Sequence, residues 1–167
     1  MAKLTDAIKD LILNPVKEGA WTAQLGWIAT VREDGAPNIG PKRSCRIYDD
    51  ATLVWNENTA GEIMKDIERG SKVAIAFANW DKLDGYRFVG TAEVHKEGKY
   101  YDEAVEWAKG KMGVPKAAVV FHIEEVYTLK SGPTAGTRIT SAPALIKRFA
   151  MSTFITGSFE PAPCIFP

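Results

Sequence analysis

Two short polar stretches hold the residues of this chain best suited to chemistry. Pro41-Lys42-Arg43-Ser44 puts two cations and a hydroxyl inside a predicted strand, and Arg46 follows two residues later. Asn56-Glu57-Asn58-Thr59-Ala60-Gly61 stands where the next strand hands over to a helix. Cations balance the charge of a phosphate, hydroxyls donate to its oxygens, and a Gly-containing helix start offers free amides at the positive end of the helix dipole. Together the two stretches describe a site for a phosphorylated small molecule. Each has a plainer reading as well: Lys42, Ser44 and Arg46 as the solvated face of an edge strand, Thr59 as a helix N-cap. Period-two geometry turns Ile39, Cys45 and Ile47 inward and Gly40, Lys42, Ser44 and Arg46 outward, so three polar side chains project one strand away from the helix start.

The elements that must position these groups follow from hydrophobic spacing. Leu4, Ile8, Leu11 and Ile12 share one face of a helix that Thr5 can cap and Asn14-Pro15 stops. Leu25 to Val31, Pro37 to Tyr48 and Thr52 to Trp55 read as three antiparallel strands, turned at Glu33-Asp34-Gly35 and at Asp49-Asp50. Ala60 to Glu68 carries Ile63, Met64 and Ile67 at helical spacing, with Gly70 placed to end it. Lys72 to Ala78 alternates Val73, Ile75 and Phe77 with Ala74, Ala76 and Ala78. Its alanine face calls for a closely approaching layer, either a second subunit or a flat ring. Arg87 to His95 is a further strand, with Phe88, Gly90, Ala92 and Val94 on one side. Tyr100 to Lys111 is a helix with Tyr101, Ala104, Val105 and Ala108 inward, and Ala117 to Leu129 is the last strand. Six strands with two or three helices predict a small closed antiparallel barrel.

At 167 residues and 46% hydrophobic content the chain is expected to form one core. Residues 1–130 make up the barrel with its N-terminal helix, and 131–167 a loop, a short helix from Ser141-Ala142-Pro143 and an apolar tail from Phe154 that wraps the barrel or a second subunit. Lys plus Arg and Asp plus Glu balance at 21 each, so no global field draws in nucleic acid or acidic lipid. Cys45 and Cys164 form no paired motif, which fits a reduced cytoplasmic setting. The N-terminus carries charges through its apolar run, which reads as neither a secretion signal nor a membrane span.

Other chemistry is sparse. His95 and His122 lie on separate strands without ligand partners in sequence, and are read as structural, with no metal site expected. Cys45 reads as a small core residue. Asn79-Trp80 and the loop through Tyr86 bring two aromatics between core strands. There is no Walker loop, no GxGxxG, no HExxH and no Ser-His-Asp pattern.

The run from Trp27 to Val94 and the segment Tyr127-Thr128-Leu129-Lys130-Ser131-Gly132-Pro133-Thr134-Ala135-Gly136 resemble the FMN-binding split-barrel family related to pyridoxamine 5'-phosphate oxidase, and its small flavin-nucleotide-binding branch most closely. The resemblance implies a mainly β fold with flanking helices, a six-stranded antiparallel split β-barrel, assembled as a homodimer with FMN in the groove between subunits. It assigns the cofactor to Gly40, Lys42, Arg43, Ser44 and Arg46 on the basic strand and to Asn56, Asn58, Thr59 and Gly61 at the strand-to-helix loop. It assigns a substrate pocket to Trp80, Tyr86 and Arg87. The implied function is an FMN-dependent oxidoreductase passing electrons or hydride to or from a small molecule. A non-enzymatic flavin carrier is the alternative, and a deazaflavin or haem ligand a third, haem requiring His95 or His122 to face the groove. One departure stands out: Glu62 and Ile63 occupy positions where relatives often have a cation and a hydroxyl, and a carboxylate there opposes a phosphate.

Overall fold

A computed structural model describes residues 2–13, 25–79 and 81–139. Its seven strands are β1 (Gly26–Val31), β2 (Pro37–Lys42), β3 (Arg46–Asp49), β4 (Thr52–Glu57), β5 (Val73–Asn79), β6 (Asp84–His95) and β7 (Ala117–Thr128). They form one antiparallel sheet in the order β2-β1-β5-β6-β7-β4-β3. The helices are α1 (Asp6–Leu13), α2 (Glu62–Glu68) and α3 (Lys99–Ala108). Predictions for the short helix, the apolar tail, Cys164 and Trp80 lie outside the described residues.

The expected count of six strands becomes seven because the segment Pro37–Tyr48 is broken. Its first half pairs with β1 and its second half with β4, at opposite margins of the sheet. Between them Arg43 and Ser44 make a turn, closed by the Cys45 amide donating to the Lys42 carbonyl at 3.2 Å. Strands spaced about 4.8 Å apart would set the margins of a flat seven-stranded sheet some 29 Å apart, twice what three linking residues can span. The sheet must therefore coil until its margins meet, although the ladder stays open between β2 and β3. The break also undoes the predicted sidedness. Ile39 is exposed at 65%, while Ser44 and Cys45 are both buried, because a turn does not alternate.

Elsewhere alternation holds. Ile28, Trp55, Ile75, Phe77, Phe88, Val119, Phe121 and Ile123 fill the concave side, and all are fully buried. α1 adds Ile8 and Ile12, with Leu4 just before it, and α2 adds Ile67. α1 touches β3 and β5, which are not neighbours in the sheet, so it spans an open end of the coil. α3 packs on the convex side, where Ala104 meets Val54, Ala118 and Val120. Midway along β6 the register shifts at Val89/Gly90, leaving Glu124 unpaired on β7. A Cβ on Gly90 would lie 1.9 Å from the His122 carbonyl oxygen, so no other residue fits there. No described helix is long and apolar enough to cross a membrane.

Candidate functional site

β4 carries polar residues deep into the fold. All six of its positions are buried, including Asn56 and Glu57, which the sequence reading left in a loop. Successive strand residues face opposite sides, so these two neighbours serve two separate networks.

On the convex side Asn56 meets the turn between β2 and β3. Its amide N–H donates to Ser44 Oγ at 3.0 Å, and that hydroxyl donates back to the Asn56 carbonyl at 3.3 Å. One side chain thus satisfies both main-chain groups where the ladder is broken. Arg46 donates through Nη1 to the Ser44 carbonyl at 2.9 Å and to Asn56 Oδ1 at 3.0 Å. Its Nε and Nη2 grip both oxygens of Glu103 on α3, and its plane lies 4.5 Å from the Trp107 ring centre. Asn56 Nδ2 completes the set by donating to the Ala104 carbonyl at 2.8 Å. Arg46 and Ser44 thus bind α3 and the broken strand to the sheet.

On the other side lies Glu57, with its side chain 1% exposed. Lys42 Nζ stands 2.5 Å from Oε2. Oε1 accepts from the Thr59 amide at 3.0 Å, the Thr59 hydroxyl at 2.7 Å and the Ala60 amide at 3.1 Å. Burial alone would raise the Glu57 carboxyl, but the hydrogen bonds from Lys42 and Thr59 and the Lys42 charge outweigh it and hold the group below its usual range. Of the expected phosphate donors, Lys42 and Thr59 are therefore together, and a carboxylate of the chain itself holds them.

The remaining assigned residues scatter. Thr59 is not the N-cap: α2 begins at Glu62 with Gly61 in that place. Asn58 points its amide at Met112 Sδ, 3.3 Å away, and Arg43 is exposed in its turn. A Cβ on Gly40 would lie 3.0 Å from Ile63, so β2 runs close beneath α2. Tyr86 packs against the core, beside α1. Arg87, the next residue, faces the convex side with its guanidinium 4.5 Å over the Tyr127 ring, so the two do not share a wall. Cys45 is buried and its thiol is pushed up to about 12 by that burial, which agrees with a core role.

Sequence reasoning missed Glu57, Glu103 and Asp66. Leu53, Trp55 and Glu57 alternate along one line, and an inward carboxylate on that line was the available signal. Asp66, also fully buried, accepts from Thr30 at 2.6 Å, Asn38 at 3.2 Å and Arg69 at 2.8 Å. Burial works against its charge, but these three partners prevail and keep its carboxyl low.

A second surface completes the picture. The convex face of β2, β1 and β5 presents Pro37, Ile39 and Pro41, then Trp27, Ala29 and Val31, then Ala74, Ala76 and Ala78. Trp27 is 44% exposed and Val31 47%. Beyond them lie Val89 and Arg87 of β6 and Tyr127 of β7, the Tyr127 hydroxyl donating to Glu125 at 2.6 Å. An apolar sheet face of this extent is the mark of a contact surface. His95 and His122 lie apart from it, on either side of Glu93 at 3.3 and 3.5 Å, with the His95 ring 4.9 Å from that of Tyr100 on α3. No group of three or more His, Cys, Asp or Glu side chains that could hold a metal ion occurs among the described residues.

The family model described as pyridoxamine 5'-phosphate oxidase matches residues 4–130. The solved structure of HupZ from group A Streptococcus is 50% identical, covering 80% of this chain and 99% of its own, with a TM-score of 0.69. The solved structure of a putative pyridoxamine 5'-phosphate oxidase from Lactobacillus delbrueckii is 36% identical, covering 75% of this chain and 93% of its own, with a TM-score of 0.62. An FMN-binding protein from Syntrophomonas wolfei shares the fold at 16% identity and a TM-score of 0.58, over 74% of this chain and 86% of its own.

Proposed function

Since the chain belongs to the pyridoxamine 5'-phosphate oxidase family, we propose that it is a homodimeric flavoprotein that binds an isoalloxazine-type ring, FMN being the family's first candidate, and moves electrons or hydride to or from a small molecule. The observation that carries this reading is the convex apolar face. Ala74, Ala76 and Ala78 let a layer approach closely, Trp27 and Ile39 supply apolar area, and Arg87 with Tyr127 forms a polar margin. A second copy covering the face and a flat ring lodged at that margin satisfy both features. When bound, the ring supplies the redox chemistry; the chain supplies the apolar walls and excludes water.

The fit is uneven along FMN. The ring end suits the face, but the Lys42–Thr59 cradle does not suit the phosphate, since Glu57 takes its cation and three further donors. The test is an absorption spectrum of the purified protein with and without added flavin, together with its mass in solution. A flavin spectrum perturbed on binding to a dimer supports the reading; a monomer that leaves free flavin unperturbed rejects it.

A further inference from the structure

Of the phosphate cradle expected from the sequence, Lys42 and Thr59 do come together, and the anion between them is already supplied. Thr59 and Ala60 turn their amides back on Glu57, and Ala60 takes the left-handed conformation, φ 52°, to do so. With the Thr59 hydroxyl and the Lys42 ammonium, these make four donors around one carboxylate. The cleft above them, about 190 Å³, is lined by Asn38, Lys42, Glu57, Thr59, Gly61, Glu62 and Ile63. It holds one cation and two carboxylates, and the charge of a phosphate monoester, roughly −1.5 to −2, would add to the excess.

We propose that Glu57 is a specificity residue, a built-in anion that fills this cradle and turns away a phosphate-bearing tail, so that the ring ligand best suited to the protein carries no phosphate there. The choice of ligand rests on the ring-binding reading above. The occupancy of the cradle does not.

Titration of the full chain with riboflavin and with FMN, followed by flavin fluorescence, should show riboflavin bound at least as tightly. FMN bound about tenfold more tightly, the gain from a charge-assisted anchor, would overturn the proposal. The second experiment needs no flavin. Glu57→Ala empties the cradle while leaving Lys42 and Thr59, and inorganic phosphate should then raise its thermal midpoint. It should not raise that of the parent or of Glu57→Ala with Lys42→Met. Glu57→Gln, which keeps the side chain's shape, should show a smaller rise and serves if the alanine variant does not fold. Equal responses to phosphate in parent and variants, whether zero or large, would sink the role of Glu57. Absence of flavin binding with a phosphate response confined to the variants would reject the ring reading alone.

Discussion

Removing the Lys42 ammonium strands a carboxylate that is only 1% exposed. Lys42→Ala should cost about 3 kcal/mol in urea unfolding, the scale for breaking a buried ion pair, before any ligand is considered. Lys42→Met combined with Glu57→Gln should recover much of that loss. If the single change is as stable as the parent, the pair is not the anchor described here. Glu57 and Asp66 both have carboxyls held below their ordinary values. Such groups stabilise the fold above the unfolded-state pKa, about 4, and that stabilisation disappears as pH falls through the lower folded-state value. Thermal midpoints should therefore be level from pH 7 to 5 and drop steeply below about 4. Glu57→Gln should flatten the drop, and an unchanged slope would show that this carboxylate does not titrate on unfolding. Lys42, Ser44 and Arg46 were readable as important but not as to role, because their partners, Glu57, Asn56 and Glu103, come from β4 and α3.

Elements were legible where one period ruled. α1, β5, β6 and β7 follow their apolar spacing to within a few residues, since each buries one continuous stripe. The break at Arg43–Cys45 was not, because period two continues through it in sequence while the chain crosses from one sheet margin to the other. The start of α2 slipped from Ala60 to Glu62 because Glu57 draws the Thr59 and Ala60 amides out of helical register. Gly90 belongs to this scale: its neighbours on β7 leave no room for a methyl group. Gly90→Ala should lower stability by about 3 kcal/mol and speed amide exchange along β6 and β7. Exchange as slow as in the parent would mean that the bulge absorbs the methyl group.

At the scale of the molecule, the proposed dimer makes the convex face its contact. Trp27→Glu replaces a side chain that is 44% exposed on the convex face, so the monomer should stay folded at a cost of about 1 kcal/mol. The mass in sedimentation should halve and flavin binding should fall with it. A variant that remains dimeric would place the contact elsewhere.

The three-residue link between β2 and β3 bears on how such a sheet keeps to itself. A strand at the rim offers a row of unused amides and carbonyls, the template on which fibres grow. Here the coil turns each rim toward the other, and Ser44 clasps the link between them to the Asn56 main chain on β4, so a newcomer finds little room to pair. Opening the clasp, by a nick or by new termini at Arg43–Ser44, would uncover both templates at once and turn a well-behaved globule into a seed for polymer.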